Sequence, residues 1–149
     1  MPKLKGVPMK RYKKYPLELL KVSEPISDKP LCSPQAVYEY MRAESLADRE
    51  IMWILHLNTK NKIIKKEMVA MGGVDSCRVI LGLALRGVVA NGVGTIISVH
   101  NHPSGETVPS QEDRQFWMSL NDACLLLGIR ALDHMILGSD GYYSLEESK

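Results

Sequence analysis

Residues 98–113 read Ser-Val-His-Asn-His-Pro-Ser-Gly-Glu-Thr-Val-Pro-Ser-Gln-Glu-Asp. Within this short run stand His100, His102, Ser110 and Asp113. Imidazole nitrogens and a carboxylate oxygen are the donors that zinc takes from proteins. Side chains two apart in a strand share a face at a spacing of ~6.6 Å. His100 and His102 can therefore grip one ion while Asn101 points away. Pro103 stops the strand directly after the pair. Asp113, in the first turn of the element that follows, could supply a third, anionic ligand. Three protein ligands leave one tetrahedral position for water, which is the arrangement of a catalytic zinc rather than a structural one. A plainer reading stands beside this. Ser110-x-x-Asp113 is also a capping box, in which a serine and an acid satisfy the free N–H groups of a helix. The two roles do not exclude one another, because Ser110 can cap while its hydroxyl faces an ion.

The elements that must carry these residues follow from pattern. Gly94–His100 reads as a compact buried strand, and the Pro/Gly-rich stretch 103–109 as a loop. A helix over 111–127 places Phe116, Trp117, Leu120, Cys124 and Leu127 on one face, with Ser110 as its cap and Gly128 as its stop. Upstream, Ser33-Pro34 is a cap followed by proline at the first helical position, and predicts a helix over 34–46. Residues 50–57 and 63–71 are β-rich and flank a turn-like 58–62, which predicts an antiparallel hairpin. Asp75-Ser76 can cap a helix running to Asn91-Gly92, and its Val79, Ile80, Leu83, Val88 and Val89 suggest a largely buried element. Ile129–Leu137 is a further strand, and 138–141 turns into Tyr142–Leu145. Strands and helices interleave, with at least one hairpin, so the fold class is α/β, a mixed sheet flanked by helices.

A chain of 149 residues suits one domain able to bury its own core without disulfides. The three cysteines, Cys32, Cys77 and Cys124, are odd in number and form no C-x-x-C pair, so they read as reduced core or near-core residues. Met1–Pro16 has no apolar run of the secretory kind, and Val79–Leu85 is too short to cross a bilayer; a cytoplasmic protein without membrane contact is expected. Charge is unevenly spread. Residues 1–16 hold six cations and no acid, so the whole chain's +2 less that +6 leaves −4 on the remainder. Residues 1–32 are accordingly a basic arm and linker, which could touch DNA or simply be solvated.

The residues His100-Asn-His-Pro-Ser-Gly105, followed by Pro109-Ser-Gln-Glu-Asp113, resemble the JAMM signature H-x-H-x(7)-S-x-x-D of the MPN/JAB metalloprotease superfamily. Leu132-Asp133-His134 and Gly141-Tyr-Tyr-Ser144 resemble its bacterial RadC-like branch, and the likeness covers residues 33–149. It implies a single JAMM domain of the cytidine deaminase-like type with one zinc ion per chain. His100, His102 and Asp113 would be the ligands, and Ser110 would stand beside the metal water. The signature includes an upstream glutamate acting as general base, and Glu50, opening a strand, holds the matching place; Glu44 and Glu67 are its rivals. Two departures limit the likeness. Full-length members carry an N-terminal helix-hairpin-helix region, whose DNA contacts cannot be carried over to the thirty residues that precede the domain here. Many relatives also read P-R-E before the central helix, where this chain has Cys77-Arg78-Val79.

The resemblance implies a zinc-dependent hydrolase acting on a peptide or isopeptide bond of a peptide or protein substrate. The alternative is a DNA repair-associated protein or a metal-dependent nuclease, with which the basic arm agrees. Two histidines and a carboxylate also make the facial triad of non-haem iron oxygenases, but a glutamate base beside an open site favours hydrolysis. A nucleoside deaminase would need H-x-E and P-C-x-x-C, which are absent. A scaffold with a vestigial site fits poorly with a complete ligand set. Asp133-His134 could support the site from behind, although a buried histidine satisfied by its neighbours is the simpler account. His56 has no partner that the sequence identifies.

Overall fold

The computed structural model describes residues 25–72 and 79–149. Chain order is α1 (Pro34–Met41), a 3₁₀ turn (Arg42–Leu46), β1 (Ile51–Leu57), β2 (Ile63–Met71), α2 (Leu81–Ala90), β3 (Thr95–Asn101), α3 (Gln111–Leu127), β4 (Arg130–Leu137) and β5 (Tyr142–Ser144). The strands form one mixed sheet in the order β2-β1-β3-β4-β5. Only β3 and β4 run parallel; the other neighbours are antiparallel. The parallel pair is joined through α3, the crossover that parallel strands require.

Period-two alternation assigns the two faces of the sheet. Leu55, Val99 and Met135 point to the side covered by α1, where Val37 and Met41 meet them. Ile54 and Ile96 point to the other side, where Leu85 and Val88 of α2 and Leu120 and Cys124 of α3 close the second core. Because β1 and β3 are buried on both faces, they read as nearly unbroken apolar runs. The hairpin turn is held by Asn58, whose side-chain oxygen accepts from the N–H groups of Lys60 and Lys62 at 2.9 and 3.0 Å.

Four expectations change. The helix over 34–46 is α-helical only to Met41, and its last residues tighten into the 3₁₀ turn. The central helix begins at Leu81, so Val79 and Ile80 precede it; the cap assigned to Asp75-Ser76 lies outside the described residues. Nor is that helix largely buried. Ala84, Leu85 and Val88 face the core, whereas Leu83 and Val89 are 46% and 55% exposed. An apolar side chain shows that a position tolerates burial, not that anything covers it. Cys124 is buried as expected but Cys32 is exposed; Cys77 lies outside the described residues.

The last residues of the 1–32 segment are stitched to the domain. The Ile26 N–H donates to the Ile63 carbonyl and the Leu31 N–H to the Asn61 carbonyl, at 2.7 and 2.8 Å. The basic run Met1–Pro16 lies outside the described residues. Among those described, no helix is long and apolar enough to cross a membrane.

Candidate metal centre

The antiparallel register that pairs Met52 with His100 carries Glu50, just before β1, to the level of His102, just after β3. Asn101 secures this meeting. It points to the opposite face from the histidines and is fully buried. Its side-chain oxygen accepts from the Ile51 N–H at 2.8 Å, and its amide donates to the Arg49 carbonyl at 2.9 Å. Glu50 is thus clamped on both sides by the residue that separates the two histidines.

Beyond the strand, the His102 N–H donates to the Leu137 carbonyl and the Gly105 N–H to the His102 carbonyl. Gly105 has φ +84°, and a Cβ there would come 2.6 Å from the Ser139 hydroxyl, so only glycine lets the loop fold back at this point. The loop brings the Glu106 carbonyl to 3.0 Å from His102 Nδ1. Nδ1 donates to that carbonyl, which leaves Nε2 to face the site, the nitrogen through which a histidine held in this way ligates a metal. At the start of α3 the capping box is real. The Asp113 N–H donates to Ser110 Oγ at 3.0 Å, and the Ser110 N–H to Asp113 Oδ2 at 2.9 Å. The same carboxylate also faces the histidines, so capping and site geometry coexist.

One donor atom from each of Glu50, His100, His102 and Asp113 lies within 4.8 Å of all the others. His100 Nε2 and His102 Nε2 are 3.1 Å apart; Asp113 Oδ1 is 3.1 Å from the former and Oδ2 3.2 Å from the latter. Bonds of ~2.0–2.1 Å to a tetrahedral ion separate its donors by ~3.3 Å, and the two imidazole nitrogens stand close to that spacing, each with an oxygen of Asp113 beside it. The Glu50 carboxylate stands farther off, 3.8 Å from His100 Nε2, on the edge of the group. The donor set, two imidazoles and a carboxylate with a second carboxylate beside them, fits a divalent transition-metal ion. Ser110 touches the group through Asp113, and among the described residues its hydroxyl only accepts.

Burial sets much of the electrostatics. It raises the Glu50 carboxyl above its ordinary value, against the pull of His100 and His102. Burial pushes Asp113 the same way, but hydrogen bonds to His100 and His102 outweigh it and hold that carboxyl well below the usual carboxylate range. The bond to Asp113 in turn raises the His102 imidazole, against its burial.

A packed wall stands behind the group. Trp117, one turn after Asp113 and fully buried, has its ring centroid 6.1 Å from that of His100 and stacks on His134 and Tyr143 at 5.7 and 5.9 Å. His134 does not reach the donor cluster. Its Nδ1 lies 2.6 Å from the Ser98 hydroxyl and its Nε2 2.8 Å from Asn121 Oδ1, and burial lowers its pKa to about 4. Asp133 accepts from the Ser144 hydroxyl and from the N–H groups of His134 and Glu146, which tethers the chain's last residues.

The rival glutamates are engaged elsewhere. Glu44 pairs with Lys66 at 2.6 Å. Glu67 lies 3.1 Å from the buried His56, the partner that the sequence did not identify, and 3.3 Å from Lys65. Asn101 and Trp117 went unremarked as supports in the sequence. For Asn101 a signal existed: a strand residue of opposite parity to two ligands must be buried, and a buried amide needs partners.

Residues 31–149 match the family model described as the RadC-like JAB domain. A UPF0758 protein of Chlorobium phaeovibrioides is 40% identical over 113 residues, covering 75% of this chain and 51% of that protein. One from Carboxydothermus hydrogenoformans is 39% identical over 118 residues, 78% of this chain and 52% of its own length. One from Methanosarcina acetivorans is 36% identical over the same length and shares. The chain spans about half the length of the curated relatives it matches.

Proposed function

This chain belongs to the RadC-like JAB-domain family of metal-dependent hydrolases, and from that premise we propose that it cleaves a peptide or isopeptide bond with the help of one zinc ion. His100, His102 and Asp113 hold the ion. Glu50 is the general base, and Ser110 donates a hydrogen bond to the reacting oxygen. The observation that carries this reading is the convergence of these three ligands, with Glu50 alongside, from the ends of two strands and one helix.

A zinc ion bound there supplies a Lewis acid that lets water ionise near neutral pH. Glu50 stands beside the ligands without being needed as one, and its raised pKa brings it nearer the value a general base requires. It takes the proton of the attacking water and passes it to the leaving amine. The Ser110 hydroxyl, anchored at the helix start, faces the charge that develops on the carbonyl oxygen; a donor of that kind is typically worth ~3–4 kcal/mol in the transition state. The Glu106 carbonyl and Trp117 fix the two imidazoles, so their positions need not be established during the reaction.

The test compares bound metal and hydrolysis rates for four proteins, with peptide, isopeptide and DNA substrates run in parallel. The unaltered chain should hold one zinc. His102→Ala should lose it and stay folded, because its core lies on the sheet and helices. Glu50→Gln should keep the zinc and lose a factor of roughly 10²–10⁴ in rate. Glu67→Gln should keep both, apart from a loss of stability. Wild-type zinc in a folded His102→Ala protein would reject the ligand set, and full activity in Glu50→Gln would reject the base. Cleavage of DNA but not of peptides would establish the nuclease instead, and iron in place of zinc would point to the oxygenase.

A further inference from the structure

We infer that the groove between α2 and α3 is the docking face for a second copy of this chain. It is about 470 Å³ in volume, walled by Leu81, Leu85 and Val89 on α2 and by Ala123 and Leu127 on α3. Nine of the ten residues of α2 are apolar or glycine, Arg86 being the exception. A helix that is apolar all round belongs in a core or an interface, and half of this one faces outward. The rim continues the apolar surface. Ile80, Leu83, Val89, Leu126 and Leu127 are between 46% and 87% exposed. A standard interface draws ~800 Å² from each partner with an apolar centre, and these exposed side chains supply apolar surface of that kind. Gly82 borders open space at the mouth, where a Cβ would meet nothing within 4 Å, and Ala90 and Ala123 add only small side chains to the lining.

Charge selects the occupant. Arg86 is the one charged residue of α2, and Asp122 the one charged residue between Arg114 and Arg130 on and after α3. Both are exposed, and neither forms an ion pair among the described residues. An interface built on a two-fold axis presents the same patch on both sides, so that a contact of residue i with residue j occurs twice. A second copy laid across the groove brings each Arg86 to the partner's Asp122 and leaves no charge facing its like. A strongly acidic or basic partner would leave one of the two charges repelled. The metal group is built from the ends of β1 and β3 and the first turn of α3, so assembly through α2 and the later turns of α3 leaves it open.

The test is sedimentation of the whole chain over a range from submicromolar to hundreds of micromolar. A dimer should form, with Val89→Asp shifting it to monomer. Arg86→Asp and Asp122→Arg should each weaken self-association by about tenfold or more, because each sets two like charges against each other. An equimolar mixture of these two variants should recover it, since every cross-pair is then of opposite sign. Zinc content and the folded circular-dichroism spectrum should stay unchanged in all variants, which separates a failed interface from a failed fold. A monomer at every concentration, a dimer indifferent to Val89→Asp, or charge reversals that have no effect or that mixing does not rescue would each overturn the proposal.

Discussion

Lowering the pH from 7 to 4 should cost this protein about 3 kcal/mol through His134 alone. The imidazole is 2% exposed, and burial drops its pKa from 6.5 to about 4. Its neighbours fit the neutral form. Nε2–H donates to Asn121 Oδ1, and Nδ1 accepts from the Ser98 hydroxyl. In the unfolded chain the ring is protonated once the pH falls below about 6.5. Between there and about 4 the unfolded state therefore binds a proton that the folded state refuses, so stability rises with pH across that window. Each tenfold change in proton concentration is worth ~1.4 kcal/mol, and the window holds about two and a half of them. The contribution is complete above pH 6.5 and lost by about pH 4. The assay is urea unfolding of metal-free protein at pH 7, 6, 5 and 4, followed by tryptophan fluorescence, since Trp117 stacks directly on His134. Against a slope of ~1–3 kcal/mol per molar urea, the midpoint should fall by roughly 1–3 M. His134→Gln is the control: it should be less stable at pH 7, and its gap from the unaltered protein should close toward pH 4. Asp113 titrates with its gain lying below this window, and the shifts at Glu50 and His102 are shared by both proteins. If the two lose stability in parallel from pH 7 to 4, the burial argument for His134 is wrong.

Two further outcomes follow from the same packing. Asn101→Ala should leave the proposed metal ligands in place but release Glu50 from its clamp, so bound metal should stay near the unaltered protein's content while the hydrolysis rate falls. Its two lost bonds are buried or partly buried, so an unfolding midpoint lowered by an equivalent of about 1–3 kcal/mol should accompany the change. Gly87→Ala should destabilise rather than stabilise the helix that contains it, because the new methyl group would overlap the Glu67 carboxylate paired with His56. Thermal unfolding of Gly87→Ala and of Gly87→Ala/Glu67→Ala settles this: the double variant should relieve the overlap, and no loss in the single one would show that the Glu67 side chain moves aside freely.

The parts of the site that local pattern encodes were readable, and the parts set by register were not. His100 and His102 follow from the period of a strand, and Asp113 from its place in a first helical turn; both rules act within a few residues. Glu50 obeys no such rule. It stands fifty residues before His100 and reaches the site only because β1 pairs with β3 in the register that sets Met52 against His100. Only resemblance could supply it. His56 was opaque for the same reason, its partner Glu67 lying across a hairpin. The burial of α2 is not legible in its apolar residues, because exposure depends on what packs against their outer side.

Asp113 shows how a cap and a proposed metal ligand coexist at one position. An ionised carboxylate has two oxygens and about four lone-pair directions. Here Oδ2 accepts from the Ser110 N–H and also faces His102, while Oδ1 faces His100. The Asp113 N–H donates to the serine hydroxyl, which makes no donation among the described residues. The cap fixes the rotamer of the carboxylate before any ion arrives, which lowers the ordering that binding requires. As a proposed metal ligand, Asp113 is therefore prearranged by the same bonds that begin the helix.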